Sequence, residues 1–111
     1  MTDAGLSDWD ARILQGLLMP YAHRIDRVAV FGSRAAGTAR PASDLDLVLY
    51  GPLTEAETDQ LVTDLDESLL SLNVDVVAYE RLRHPALKSR IDATAKTLYT
   101  GDMLRQLSSP A

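Results

Sequence analysis

Between Val28 and Tyr50 the chain runs Val-Ala-Val-Phe-Gly-Ser, then ten residues, then Asp-Leu-Asp-Leu-Val-Leu-Tyr. The apolar segment 27–32 reads as a strand that ends in Gly32-Ser33. The segment 44–50 reads as a second strand that opens on two carboxylates. Successive side chains of a strand point to opposite faces, so Asp44 and Asp46 share one face and Leu45, Leu47 and Leu49 share the other. The leucines must be buried under helices. The carboxylates must stay on the opposite face. A small sheet with helices on one side and a site on the other satisfies both demands.

Two like charges held close repel unless something positive lies between them. A hard divalent cation such as Mg²⁺ takes oxygen ligands and bridges to phosphates. Gly32 permits close backbone approach, and the turn offers free N–H groups where phosphates can lie. Ser33 adds a hydroxyl suited to a β- or γ-phosphate. Arg34 and Arg40 lie in the same loop and can neutralise phosphate charge. Ser43 immediately precedes the carboxylates. Gly32, Ser33, Arg34, Arg40 and Ser43 are therefore the candidate nucleotide-binding residues. Metal carboxylates beside a phosphate cradle suggest nucleotidyl transfer.

The rest of the chain supplies the frame. Residues 8–24 read as a helix capped by Ser7 or Asp8, with Trp9, Ile13 and Leu17 at helical spacing and Pro20 as a point of kinking or splitting. Thr54-Glu55-Ala56-Glu57 fits a capping box. It opens a helix expected to reach about Leu72, with Leu61, Leu65 and Leu69 on one stripe. Residues 74–79 read as a third strand. Pro85 begins a last helix expected to carry Leu87, Ile91, Ala95 and Leu98 and to end near Gly101, with a short helical tail through Leu107. Strand two, helix and strand three make a crossover with parallel pairing. Strands one and two can run either way.

Asp75, flanked by valines on the third strand, is the third carboxylate. If that strand pairs beside the second, Asp75 joins Asp44 and Asp46, and the three can hold one or two Mg²⁺ ions. In a two-metal site one ion activates the attacking hydroxyl and the other holds the triphosphate. His23 and His84 have no metal-ligand spacing and read as structural or surface residues. The tyrosines and Trp9 are scattered at core-like positions, with no base-stacking platform.

The expected fold class is α/β (α+β), a single domain over residues 1–111 with a core from 8 to 101 and loose ends at 1–6 and 106–111. With no cysteine, disulfides and thiolate metal sites are excluded. No apolar run approaches the roughly 20 residues that span a bilayer, and the first residues lack the pattern of a signal peptide. A cytoplasmic location and no membrane association are expected. The net charge of −5 argues against a grip on long nucleic acid and favours a protein or small-molecule acceptor.

Gly32-Ser33-x10-Asp44-x-Asp46, with Asp75 on a later strand, resembles the polymerase-β-type nucleotidyltransferase superfamily. The short length and the ending Ile91-x6-Leu98-Tyr99 resemble its minimal nucleotidyltransferase (MNT) group. The resemblance covers about Val28 to Tyr99. It implies the nucleotidyltransferase fold, with a small mixed sheet of three or slightly more strands and helices mainly on one face. It implies transfer of a nucleoside monophosphate from an NTP to a hydroxyl with release of pyrophosphate. By similarity, Asp44 and Asp46 ligate both Mg²⁺ ions, Asp75 ligates the catalytic ion and helps remove the acceptor proton, and Gly32 and Ser33 hold the triphosphate. Ala36 departs from the pattern, since many relatives carry arginine there. Minimal members are often encoded beside a HEPN-domain protein as antitoxin and RNase toxin, and some transfer AMP from ATP to a tyrosine of the toxin.

A domain this small has no second domain to hold an acceptor, which points to another chain and a hetero-oligomer. The acidic balance suits a partner with a basic face. The leading expectation is a Mg²⁺-dependent adenylyltransferase that silences a HEPN toxin with ATP. The alternatives are an antitoxin that neutralises its partner by binding alone, and a small-molecule nucleotidyltransferase.

Overall fold

A computed structural model of the chain describes residues 6–32 and 44–108. Helix α1 spans Asp8–Leu18, and the Ser7 hydroxyl caps it by accepting from the Asp10 backbone N–H at 3.1 Å. Pro20 splits the expected longer helix, and Met19–Arg24 continues as a 3₁₀ segment. Strand β1 is Arg27–Phe31 and β2 is Leu45–Tyr50. Helix α2, Glu55–Asp66, opens on the expected capping box: Glu57 N–H donates to Thr54 Oγ1 at 3.1 Å, and Thr54 N–H donates to Glu57 Oε1 at 2.9 Å.

α2 stops well short of Leu72. The Ser68 hydroxyl donates to the Leu65 carbonyl at 2.6 Å and accepts from Leu70 N–H at 3.3 Å, which draws the backbone out of the helical ladder. Leu69 therefore leaves the apolar stripe and is 75% exposed. Strand β3, Val74–Ala78, follows, then a 3₁₀ turn at Tyr79–Arg81 and helix α3 at Pro85–Thr94.

The segment after Thr94 corrects the expected helix. Lys96–Thr100 is a fourth strand, β4, antiparallel to β1. Ala95 already has an extended ψ of 133°. Two threonines, a leucine and a tyrosine suit a pleated surface, and the open edge of β1 supplies the hydrogen-bond partner. The Ile91–Ala95–Leu98 spacing fits a helix, but Ile91 of α3 and Leu98 of β4 are buried in separate clusters and Ala95 is only partly buried. Gly101 then begins helix α4, Gly101–Ser108, rather than ending a helix.

The sheet order is β3-β2-β1-β4. β1 pairs antiparallel with β2, while β2 pairs parallel with β3 across the α2 crossover, as its spacing predicted. The larger core lies on one face: Val28, Val30, Leu45, Leu47 and Leu49 pack with Leu14 and Leu18 of α1, Leu61 and Leu65 of α2, and Leu104 of α4. Each fully buried leucine contributes about 1.5–3 kcal/mol. Leu6 also joins this core, so ordered packing extends to residues beyond both ends of the 8–101 segment. On the other face Ala29, Phe31 and Val48 are covered by Ile91 of α3. Among the described residues, helices thus lie mainly on one face, and α3 covers part of the second. Among the described residues, no helix is long and apolar enough to cross a membrane.

Candidate active site

β1 ends, and β2 and β3 begin, at the same end of the sheet. Phe31 stands opposite Asp46 in the antiparallel pair, and Asp46 stands opposite Asp75 in the parallel pair. Leu45 N–H donates to the Asn73 carbonyl at 2.9 Å and fixes that register at its first residue. Facing backbones in a sheet are about 4.8 Å apart, so the strand pairing alone brings the two carboxylates together. Asp46 and Asp75 alternate with the buried Leu45 and Leu47 and the partly buried Val74 and Val76, and they share the face that carries α3. Asp44 is exposed, one residue before β2 begins.

Gly32 follows β1 with φ of +74°, in the left-handed region. A Cβ at this position would sit 2.8 Å from Asp46 Oδ2 and 3.7 Å from Arg90 Nη2. The missing side chain therefore leaves the backbone, one carboxylate and one guanidinium around a single point. Asp46 is held above its ordinary carboxylate value. Burial is the largest cause, followed by the negative charge of Asp75, and Asp44 adds to it, while Arg90 opposes. The electrostatics describe a place that disfavours further negative charge and welcomes a cation.

Among the described residues, no three Asp, Glu, His or Cys side chains form a ready-made metal-holding group. The donor chemistry nevertheless fits a hard cation: oxygen ligands only, two carboxylates in register and a third at the strand's start. Ser33, Arg34, Arg40 and Ser43 lie outside the described residues.

Arg90 is the site residue that sequence reasoning missed. Its signal is indirect. Ile91 is the buried residue of α3, and its neighbour in sequence comes near Gly32 only because α3 crosses this face of the sheet. That crossing is pinned by Tyr79, whose hydroxyl donates to Asp92 Oδ1 at 2.7 Å and whose ring lies 5.1 Å from Lys88 Nζ. The hydrogen bond to Asp92 chiefly raises the Tyr79 phenol above its ordinary value. Two of the tyrosines are not scattered as expected: the Tyr50 and Tyr79 rings lie 4.7 Å apart, and the Arg27 guanidinium sits 4.4 Å over Tyr50. His84 is structural, as its spacing suggested, since its Nδ1 accepts from Leu87 N–H at 3.1 Å and caps α3.

Residues 14–103 match the family described as Polymerase beta, Nucleotidyltransferase. A structure described as that of a minimal nucleotidyltransferase is 34% identical, with a TM-score of 0.59, covering 86% of this chain and 95% of that one. A chain from a toxin–antitoxin structure with AMP-PNP aligns with a TM-score of 0.64 at 19% identity, covering 87% of this chain and 82% of that one. A chain from the complex of tri-AMPylated Shewanella oneidensis HEPN toxin with MNT antitoxin aligns with a TM-score of 0.62 at 17% identity, covering 93% and 80%. At those two identities the likeness establishes a shared fold. No curated protein matches the chain significantly.

Proposed function

The chain belongs to the polymerase beta nucleotidyltransferase family and is a nucleotidyltransferase; from that premise we propose that it is a Mg²⁺- and ATP-dependent adenylyltransferase, the antitoxin of a HEPN-type toxin. The observation that carries this reading is the register that sets Asp46 against Asp75 beside Gly32. Asp44, Asp46 and Asp75 would hold the Mg²⁺, which supplies charge neutralisation for the triphosphate and acidifies the acceptor hydroxyl. Gly32 lets the triphosphate approach the backbone, with Ser33 as the adjoining hydroxyl. In the reaction the acceptor oxygen bonds to the α-phosphorus, the bond to pyrophosphate breaks, and Asp75 takes the hydroxyl proton.

The position of Asp75 supports an acceptor from a second chain. β3 is an edge strand and Asp75 is exposed on it, so an incoming tyrosine hydroxyl need not thread a closed cleft. The structural likeness to chains from MNT–HEPN complexes, one with an AMPylated toxin, supports the same partner. The test is the intact mass of the HEPN-domain partner after incubation with this protein, ATP and Mg²⁺. A gain of AMP units that Asp44→Asn abolishes is the expected outcome. A stable complex with no gain in mass would replace the reading with neutralisation by binding alone. Turnover of a small hydroxylated acceptor without the partner would replace it with small-molecule transfer.

A further inference from the structure

We infer that Arg90 is a phosphate-binding residue of the site, a guanidinium on α3 that grips the β- and γ-phosphates of the bound nucleotide beside Gly32 and stays with the pyrophosphate as it leaves. The inference rests on the transfer reading above and adds a residue from a distant part of the chain. Its first ground is position. Arg90 Nη2 and Asp46 Oδ2 both approach the point that a Gly32 side chain would occupy. A triphosphate lying along that bare backbone would meet the guanidinium directly.

The second ground is charge. Asp44, Asp46 and Asp75 place three negative charges at the end of the sheet where the still more negative triphosphate must lie. Among the described residues, Arg90 brings a basic side chain to this end of the sheet, 3.7 Å from the point that a Gly32 Cβ would occupy. Among the described residues the ion pairs use Arg24, Arg81 and Arg105, and Arg90 has no carboxylate within 4.0 Å. Arginine's planar fork can engage two phosphate oxygens at once, which a lysine ammonium cannot do.

The third ground is preorganisation. Ile91, the next residue, is fully buried against the sheet, and the Tyr79–Asp92 hydrogen bond holds the following one. The backbone of Arg90 is therefore fixed before any nucleotide arrives, and only the exposed side chain has to order.

The test is calorimetric binding of ATP and of AMP, each with Mg²⁺, to wild type, Arg90→Ala and Arg90→Lys. Arg90→Ala is expected to weaken ATP about tenfold, the scale of one charge-assisted phosphate contact. AMP, which has no β- or γ-phosphate, should bind all three proteins equally, and Arg90→Lys should fall between the other two for ATP. Unchanged ATP affinity in a folded Arg90→Ala would overturn the inference. Equal weakening of ATP and AMP would also overturn it, by giving Arg90 a general structural role. If Arg90→Ala does not fold, Arg90→Lys decides: equal loss for both nucleotides, or none, overturns it. A wild type that binds no ATP at all would bring down the transfer reading itself, an outcome distinct from the others.

Discussion

Asp46 and Asp75 stand directly opposite each other across the parallel β2–β3 pair, one register step inside the end of the sheet. Like charges opposite each other on neighbouring strands are destabilising. Here the backbone hydrogen bond from Leu45 to Asn73 holds the strands in that register. The fold therefore keeps two carboxylates together at a cost to its own stability.

Asp46→Asn should raise thermal stability at neutral pH while abolishing nucleotidyl transfer. The folded Asp46 carboxyl holds its proton more tightly than the unfolded one, so its ionised form costs stability. That cost is present in full at neutral pH, shrinks as pH falls through the raised folded pKa, and is gone below the ordinary value of 3.8. Thermal melts of wild type and Asp46→Asn should accordingly differ at pH 7 and converge near that value. A lower melting temperature in the variant at pH 7 would show that the carboxylate contributes stabilising contacts instead.

Asp75→Asn should separate chemistry from nucleotide binding. Asp75 is exposed on the edge strand, while Gly32 lies on the far side of Asp46. Loss of a proton-accepting carboxylate is expected to slow transfer about 10²–10⁴-fold. ATP affinity should change far less. Single-turnover rates and equilibrium binding on the same preparation check both halves, and an unaltered rate would remove Asp75 from the reaction.

Gly32→Ala should damage the fold and the site together. A non-glycine residue in the left-handed region costs about 1–2 kcal/mol, and Gly32 has φ of +74°. The new Cβ would also lie 2.8 Å from Asp46 Oδ2, so the carboxylate must turn away. Denaturant unfolding should show a loss of about that size, accompanied by weakened ATP binding. An alanine variant that binds ATP as wild type does would show that no close approach is needed at Gly32.

Much of this site is written locally. The alternation of Leu45, Leu47 and Leu49 with the aspartates determines which face is buried, and the capping box at Thr54 determines where the crossover helix begins. What local patterns cannot carry is partner choice between distant segments. Lys96–Thr100 becomes a strand because β1 offers an unpaired edge, and nothing near those residues records that edge. Arg90 escapes notice for the same reason, since its relation to Gly32 exists only once α3 lies across the sheet. Leu69 fails the helical stripe because a serine hydroxyl competes for the backbone, an effect that the periodicity of leucines does not register.

Asp10→Ala should be costly to stability and neutral to chemistry. Asp10 is only 3% exposed, the one buried charged residue among those described. Its Oδ1 accepts from Ser71 N–H at 2.9 Å, and its Oδ2 accepts from the Ser71 hydroxyl at 2.6 Å and the Ser7 hydroxyl at 3.1 Å. These bonds tie the first turn of α1 to the segment that leads into β3, and so to the strand that carries Asp75. Hydrogen bonds to a charged group contribute about 1.5–3 kcal/mol, and truncation also leaves the Ser71 N–H without this acceptor. A loss of about 2–3 kcal/mol in urea unfolding is expected, with Asp10→Asn losing less because an amide oxygen can still accept from Ser71. At a temperature where the variant remains folded, its transfer rate should match wild type. A slowed reaction in folded Asp10→Ala would show that the α1 tether also sets the position of β3 in the site.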